Sequence, residues 1–388
     1  MAVLQPTDMA GLAEAIASAR DSLEIVGHGS KRRLGRPVQA AATLSTAGLT
    51  GISLYEPAEL VLGAGAGTPL AEIEAALAAQ GQQLAFEPPD YGALLGATGP
   101  QTLGGVIACN LSGPRRIQAG AARDHLLGFR AVSGRGEIFK SGGRVVKNVT
   151  GYDLSKLMAG SYGTLAVLAE ATVKVLPRPE TACTVMVHGV DAVAAIEVMR
   201  SALASPHDVS GAAWLPGRIG NFGSDAFVAL RLEGTEPSVA FRAATLRESL
   251  KATNVASGEA STTLWKFVRD AAAFAGDHDR IVWRMSVPPA AAAAVAGLPD
   301  AEYFLDWSGG LVWLAVPATQ AAESAKLLRH LTARHGGHAT LVRAPDDVRA
   351  SLDVFEPLPP ALATLSQRVK HSFDPRGILN PGRMYREF

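Results

Sequence analysis

Cysteine is scarce in this chain of 388 residues, which contains only Cys109 and Cys183. Their separation in the sequence excludes a Cys-x-x-Cys redox pair, and two cysteines are too few to hold an iron–sulfur cluster. Cys109 is expected to be a small buried hydrophobic residue. The shortage of cysteine favours a reducing, cytoplasmic compartment.

The chain also lacks net charge and any long apolar run. Its 36 Lys and Arg balance 36 Asp and Glu, which gives no reason to expect a nucleic acid partner. The alanine-rich run at residues 288–298 is too short to cross a bilayer, which needs about 20 apolar residues. The N-terminus carries Asp8 and Glu14 and does not resemble a secretory signal. We expect a cytoplasmic protein whose membrane contact is at most peripheral, on the inner face of the cytoplasmic membrane and through a partner.

The length exceeds that of a typical single core, and 48% of the residues are hydrophobic, so two domains are expected. Pro177 and Pro179 mark the boundary between them. After this boundary the order strand, helix, strand, strand, helix occurs twice. This pattern predicts an α+β domain in which helices cover one face of an antiparallel sheet, as in ferredoxin-like repeats.

Two glycine-rich segments indicate an anionic ligand. Residues 97–116 combine a polar turn, the pair Gly104 and Gly105, a short apolar run and a second glycine turn that ends in two arginines. Residues 25–33 run from a strand through Gly27 and Gly29 into clustered positive charge. Two such loops in one chain predict a bound dinucleotide diphosphate.

A third glycine-rich segment, at residues 63–68, imitates the G-x-G-x-x-G fingerprint but has Thr68 in place of its last glycine. No strand ending in an acidic residue is evident about 20 residues later, as a Rossmann site requires. We expect this segment to be a plain strand-to-helix turn.

These two loops, together with residues 144–167 and 373–383, resemble the FAD-binding domain of the vanillyl-alcohol oxidase and para-cresol methylhydroxylase superfamily. Within it, the chain is most similar to FAD-binding subunits of bacterial glycolate oxidases. The resemblance implies a two-subdomain FAD-binding domain of the para-cresol methylhydroxylase type at residues 1–177, an α+β cap at 178–365, and a tail at 366–388 that returns to the FAD domain. It also implies oxidation of glycolate to glyoxylate in a hetero-oligomer with a catalytic flavoprotein subunit and an iron–sulfur subunit.

The glycine loops and the resemblance together predict the residues that contact FAD. They are Gly27, His28, Gly29, Ser30, Lys31, Gly99, Thr102, Gly104, Gly105, Ala108, Asn110, Gly113, Gly163, Val167 and Asn380. The cations available to the diphosphate are Lys31, Arg32, Arg33, Arg115 and Arg116, and a solvated surface position is the alternative for each.

His28 bears on how the flavin is held. Some relatives attach flavin covalently through a histidine of this loop, but His28 lies one position out of their register. We therefore expect FAD to bind without a covalent bond, with His28 acting as a polar loop residue.

The chain differs from the related 2-hydroxy-acid dehydrogenases in two motifs that bear on catalysis. Tyr162 occupies the place of their glutamate in Gly-Ser-Glu-Gly-Thr, and the segment at residues 335–341 has no carboxylate where they carry His-x-Gly-Asp-Gly-Asn. We expect no metal site. The catalytic residues remain unassigned: Arg284 and Arg343 are weak candidates for binding a substrate carboxylate, and His338 or His371 for the base, with structural or exposed roles as the alternative.

Three functions stay open at this point. The first is an FAD-binding subunit that supports electron flow or assembly in a glycolate oxidase complex. The second is a self-sufficient FAD-dependent 2-hydroxy-acid dehydrogenase, and the third is a structural subunit with a degenerate nucleotide site. Trp307, Leu311 and Trp313 are either a partner-binding surface or an internal sheet face.

Overall fold

The structure is a computed structural model that describes residues 2–144, 152–294, 298 and 300–388. The motif block at residues 144–167 therefore lies partly outside the described residues, since 145–151 are not among them.

The strands, in chain order, are β1 (Ala2–Leu4), β2 (Leu23–Val26), β3 (Ala42–Ser45), β4 (Ile52–Glu56), β5 (Val61–Gly65), β6 (Gln82–Gln83), β7 (Leu126–Ser133), β8 (Ile138–Gly142), β9 (Ala166–Lys174), β10 (Leu176–Pro177), β11 (Thr181–His188), β12 (Gly211–Leu215), β13 (Phe227–Gly234), β14 (Asn254–Ser257), β15 (Arg280–Ser286), β16 (Glu302–Asp306), β17 (Leu311–Pro317) and β18 (His338–Arg343). The helices are α1 (Met9–Ser18), α2 (Leu70–Ala78), α3 (Gly92–Leu95), α4 (Leu103–Ala108), α5 (Arg116–Ala119), α6 (Ala122–His125), α7 (Leu154–Met158), α8 (Ala192–Leu203), α9 (Glu236–Ser249), α10 (Gly258–Arg269), α11 (Pro289–Ala292), α12 (Ala321–His335), α13 (Asp346–Ser351) and α14 (Pro360–Phe373).

The chain divides into two compact units. The first comprises residues 1–112, 121–178 and 357–388, and the second comprises 113–120 and 179–356. The short segment 113–120, which contains α5, belongs to the second unit although both of its flanks belong to the first.

The first unit contains a parallel three-stranded sheet in the order β1-β3-β2 and an antiparallel five-stranded sheet in the order β4-β5-β9-β7-β8. Asp8 begins α1 by accepting a hydrogen bond from the amide of Gly11 at 2.7 Å, which satisfies one of the free amides of the first turn. Leu12 and Ile16 then lie on the buried face of α1, one helical turn apart, against Leu23 and Leu44.

The C-terminal tail packs within the first unit. The amide of Leu23 donates to the carbonyl of Ile378 at 2.8 Å, and the amide of Asn380 donates to the carbonyl of Leu23 at 2.9 Å. Lys370 is buried in α14 and donates to the carboxylate of Asp374 at 2.7 Å and to the carbonyl of Thr164 at 2.7 Å. The tail therefore pairs with β2, the strand that leads into the first glycine loop.

The second unit is built on one antiparallel sheet of eight strands, in the order β14-β11-β13-β12-β16-β17-β15-β18. Each half of this order is a βαββαβ repeat, and the two halves join where β12 pairs with β16 at Trp214 and Leu305. The predicted α+β class is confirmed. The strand β14 and the helix α10 were not predicted, although Leu264, Trp265 and Val268 lie on one buried face of α10 at helical spacing.

Candidate cofactor-binding site

A cleft in the first unit collects both glycine-rich loops. Its empty volume is about 710 Å³, counting the mouth that opens to solvent. Its lining residues are Ile25, Val26, Gly27, His28, Gly29, Ser30, Lys31, Arg32, Thr46, Ala66, Thr102, Gly104, Gly105, Ala108, Cys109, Ser161, Tyr162, Gly163, Ala166, Val167, Leu168 and Arg383.

The loop after β2 presents backbone donors to the cleft. Gly29 has φ +84°, a left-handed conformation that glycine adopts without strain, and it turns the chain sharply. No acceptor among the described residues is recorded for the amides of residues 28–31, while the next amide, that of Arg32, donates to the carbonyl of Gly29 at 3.1 Å. Successive amides without protein partners form a concave site for anionic oxygen atoms.

Lys31 adds a buried cation to the same loop. Its side chain lies on the cleft wall, and the residue is 8% exposed. The Nζ atom makes only two long hydrogen bonds, to Gln101 Oε1 at 3.3 Å and to Ser30 Oγ at 3.4 Å, and no ion pair with another described residue is recorded. Burial is the main cause that lowers the pKa of Lys31 from 10.5 to about 8, against smaller opposing effects of Cys109 and Asp90. A bound anion would reverse this shift.

The second glycine loop begins α4. Thr102 precedes the helix, and its Oγ1 atom accepts a hydrogen bond from the amide of Gly105 at 3.2 Å. A Cβ on Gly104 would lie 2.6 Å from Cβ of Ala66, and a Cβ on Gly27 would lie 2.7 Å from Thr102 Oγ1. These two glycines therefore allow the first loop, α4 and the turn after β5 to approach closely.

The third wall of the cleft is the segment before β9, and Asn380 from the tail fixes it. The side chain of Asn380 accepts from the amide of Ile25 at 2.8 Å and donates to the carbonyl of Tyr162 at 2.8 Å. Tyr162 has φ +54°, and its amide donates to the carbonyl of Ala108 at 2.8 Å. One side chain thereby connects the strand into the first loop with the segment that carries Tyr162 and Gly163.

The chemistry of the cleft matches a dinucleotide with aromatic rings. The amides of residues 28–31 and the Lys31 ammonium suit a diphosphate, because an anion leaving water needs converging donors and a nearby cation. The apolar side chains among the lining residues, which include Val26, Ala166 and Leu168, suit ring faces. The residues present therefore fit FAD.

Most of the predicted contact residues line this cleft: Gly27, His28, Gly29, Ser30, Lys31, Thr102, Gly104, Gly105, Ala108, Gly163 and Val167. The remaining four do not. Asn380 holds two walls together, as described, and Gly99 packs against the first loop, since a Cβ there would lie 2.3 Å from the carbonyl oxygen of His28. Asn110 accepts from the amide of Arg123 at 3.0 Å. Gly113 lies in the second unit, where its carbonyl accepts from Trp307 Nε1 at 3.0 Å.

The predicted cations also differ in whether they are available to a ligand in the cleft. Arg32 lines the cleft but donates from Nε to Glu24 at 2.8 Å, and Arg33 donates to the carbonyl of Leu95 at 3.1 Å. Arg115 forms an ion pair with Glu233 at 2.6 Å in the second unit. Lys31 is thus the best-placed predicted cation for a diphosphate.

Several lining residues were missed by the sequence analysis. Arg383 is nearly buried, lines the cleft and donates from Nη2 to the carbonyl of Lys31 at 2.9 Å. Its place three residues after Asn380, in a motif block that was recognised, was a usable signal. Thr46 and Ala66 carried no such signal, because their contribution depends on how distant loops meet.

The four residues that were weak candidates for catalysis lie in different surroundings. The guanidinium of Arg343 donates to the backbone carbonyls of Phe274, Asp277 and Arg280, so it stabilises that loop and is not available to a substrate. His371 is exposed on α14 in the first unit and does not line the cleft. Arg284 and His338 lie in the second unit on the neighbouring strands β15 and β18.

Three further segments are explained by the structure. In the third glycine-rich segment, Gly65 packs against backbone, because a Cβ there would lie 2.2 Å from the carbonyl oxygen of Leu49. Asp153 accepts from the amide of Lys156 at 3.2 Å at the start of α7, an ordinary cap. Trp307, Leu311 and Trp313 are all buried, so the idea that they form an exposed partner-binding surface is wrong.

Comparison with known proteins agrees with the geometry. A family model described as an FAD binding domain matches residues 1–142. The chain is 39% identical over 371 residues to the glycolate oxidase subunit GlcE of Escherichia coli (strain K12), which covers 95% of this chain and 94% of that protein. It is 41% identical over 101 residues to the glycolate oxidase subunit GlcD of Bacillus subtilis (strain 168), covering 26% of this chain and 21% of that protein.

Among solved structures, an alkyldihydroxyacetonephosphate synthase matches with a TM-score of 0.69 and 18% identity, covering 98% of this chain and 76% of that chain. At this identity the match shows the fold alone. The cleft and the matching family model define the first unit as an FAD-binding domain. Within that class, the identity along nearly the whole length places the chain in the family of the glycolate oxidase subunit GlcE.

Proposed function

We propose that this chain is the FAD-binding subunit of a complex that oxidises glycolate to glyoxylate. One combined observation carries the proposal: a cleft with free backbone donors and a buried lysine, in a chain 39% identical along 95% of its length to a glycolate oxidase subunit. The bound flavin would supply a two-electron acceptor for hydride.

The protein's own residues would bind and orient this cofactor. The amides of residues 28–31 and the Lys31 ammonium hold the diphosphate, and the apolar wall keeps water from the rings. Asn380 fixes the distance between the walls through its bonds to Ile25 and Tyr162. FAD binds without a covalent bond in this proposal, because His28 is out of register for attachment.

The reaction also needs a base for the hydroxyl proton and a cation for the carboxylate. Arg343 is occupied by backbone carbonyls, and the segment with His335 and His338 contains no carboxylate. Among the described residues, no three His, Cys, Asp or Glu side chains form a cluster that could hold a metal. On the basis of the similarity to a glycolate oxidase subunit, we assign the oxidation to a catalytic flavoprotein partner and the onward electron transfer to an iron–sulfur partner.

Within the described part of the chain, no helix has the length and apolarity that spanning a membrane requires. We propose that the complex acts in the cytoplasm and that any membrane contact is peripheral.

The deciding experiment compares the single chain with the assembled complex. The chain is co-expressed with tagged partners, and glycolate-dependent flavin reduction and dye reduction are measured for the purified chain and for the complex. We expect turnover only from the complex, and loss of turnover when this chain is omitted.

A matched pair of variants controls this experiment. Gly105→Val adds bulk at the cleft, whereas Gly276→Val adds it at an exposed glycine whose Cβ would meet no atom within 4 Å. Only the first should lower FAD content and activity of the complex. Rapid reduction of the isolated chain by glycolate would overturn the division of labour and favour a self-sufficient dehydrogenase.

A further inference from the structure

The second unit contains a compact cluster of positive and aromatic side chains, formed by Arg116, Arg284, Trp307 and His338. The guanidinium carbon of Arg116 lies 4.2 Å from the centroid of the Trp307 ring, and that of Arg284 lies 4.8 Å from the same ring. Trp307 is itself fixed, because its Nε1 atom donates to the carbonyl of Gly113 at 3.0 Å. Two like charges are thus held beside one indole.

Strand register brings His338 to the same place. In β15, Ser286 pairs with His338 of β18, and Arg284 pairs with Trp313 of β17. Residues two apart in a strand, and residues paired across strands, share a face of the sheet. Arg284, His338 and Trp313 therefore project from one face, opposite to Trp283 and Met285 in the hydrophobic core.

The guanidinium of Arg284 is not ion-paired with a carboxylate among the described residues. Among the described residues, Arg284 has no recorded hydrogen bond or ion pair, and its contacts are with the rings of Trp307 and Trp313. The nearby carboxylate of Glu356 is committed to Arg329 at 2.6 Å, Thr332 at 3.0 Å and the amide of Ala339 at 2.9 Å. Desolvation and the charge of Arg284 lower the pKa of His338, the carboxylate of Glu356 opposes them, and Arg116 adds a smaller lowering effect.

The backbone under the cluster is strained. Trp307 has φ +51° and Ser308 has φ +58°, two consecutive left-handed residues that are not glycine. The buried carboxylate of Asp306 holds this turn by accepting from the amide of Trp307 at 2.7 Å. Strain of this kind persists where the surrounding structure enforces it, and it concentrates at ligand sites.

We propose that this cluster binds a small organic carboxylate, with the guanidinium of Arg284 as its principal partner. A guanidinium presents a planar pair of donors that matches the two oxygen atoms of a carboxylate. The indole of Trp307 supplies an apolar face for a short carbon chain, which a purely inorganic anion would not use. The inference rests on the proposed function at one point only: a 2-hydroxy acid such as glycolate, or its 2-oxo product, belongs to this class of ligand.

The test uses the full-length, FAD-loaded chain without its partners. Sodium glycolate and sodium glyoxylate are titrated while tryptophan fluorescence and heat release are recorded, with ethylene glycol as the uncharged probe and inorganic phosphate as the competing anion. We expect saturable binding of the carboxylates, no binding of ethylene glycol, and weaker binding of phosphate.

Variants locate the site. Arg284→Met should weaken carboxylate binding at least about tenfold, as expected when one partner of a charge-assisted pair is removed. Arg334→Met, on the exposed face of α12, should bind like the wild type. Arg284→Gln keeps a planar polar group and serves as a second test if the methionine variant does not fold, which thermal melting would reveal.

The outcomes separate this inference from the proposed function. Failure of the wild type to bind carboxylates, or carboxylate binding that is unchanged in Arg284→Met and Arg284→Gln, would overturn the site. Tighter, Arg284-dependent binding of phosphate would overturn the assignment to carboxylates. FAD content and complex assembly, measured on the same preparations, report on the proposed function independently, because neither requires this cluster to be occupied.

Discussion

Replacement of Lys31 by methionine is the most informative perturbation of the FAD cleft. In the free protein, burial lowers the pKa of Lys31 from 10.5 to about 8. At about 1.4 kcal/mol per pKa unit, the protonated side chain is therefore held at a cost of about 3 kcal/mol at neutral pH. A diphosphate beside Nζ would remove most of this cost, and a charge-assisted hydrogen bond of this type contributes about 2–3 kcal/mol.

The substitution should act in opposite directions on FAD affinity and on the stability of the apoprotein. Lys31→Met should weaken FAD binding roughly 30- to 150-fold, while the apoprotein should become as stable as the wild type or more so, because an uncompensated buried charge is gone. Lys326→Met, at an exposed position of α12, should change neither quantity. FAD affinity is measured by quenching of flavin fluorescence, and apoprotein stability by urea unfolding.

The pH dependence provides an independent check with a defined sign. FAD favours the protonated lysine, so the affinity should be constant below pH 8 and fall by up to tenfold per pH unit above it. Apoprotein stability should rise over the same range, because the unfolded chain keeps a proton that the folded chain has released. Lys31→Arg should retain affinity and lose the pH dependence, because arginine stays charged. A constant FAD affinity from pH 7 to 9.5 in the wild type would refute the reasoning.

Three other predictions concern the same cleft. Gly105→Val should abolish FAD binding while Gly276→Val retains it, as shown by the absorbance of the purified proteins; equal flavin content would mean that Gly105 does not face the cofactor. Asn380→Ala should lower the free energy of unfolding by about 1–3 kcal/mol and weaken FAD binding, whereas Asn254→Ala, on an exposed strand, should have little effect in the same urea titration. Acid precipitation should leave FAD in the supernatant, because His28 is out of register for attachment, and flavin retained in the pellet would contradict this.

The structure also changes the choice of control for such experiments. Gly65, in the third glycine-rich segment, looks like a harmless position in the sequence. A Cβ there would lie 2.2 Å from the backbone carbonyl of Leu49, so Gly65→Ala would itself disturb the fold. Gly276 is the better control because its surroundings are open.

The sequence by itself determined the class of cofactor, about half of the residues that line the cleft, and the order strand, helix, strand, strand, helix that occurs twice in the second unit. These features depend on short segments: a glycine such as Gly29 permits a turn that other residues resist, and the spacing of apolar residues sets the period of a strand or helix. Such local preferences can be recognised without knowing the path of the chain.

Only the tertiary structure decided which distant groups meet. The bonds of Asn380 to Ile25 and Tyr162, and of Arg383 to the carbonyl of Lys31, join residues more than 200 positions apart. The same holds for Arg284, which differs from Arg343 not in residue type but in what surrounds it: two aromatic rings in one case and three backbone carbonyls in the other. The availability of a charge depends on burial and on its neighbours, and both are set by packing between segments rather than by the residues on either side in the sequence.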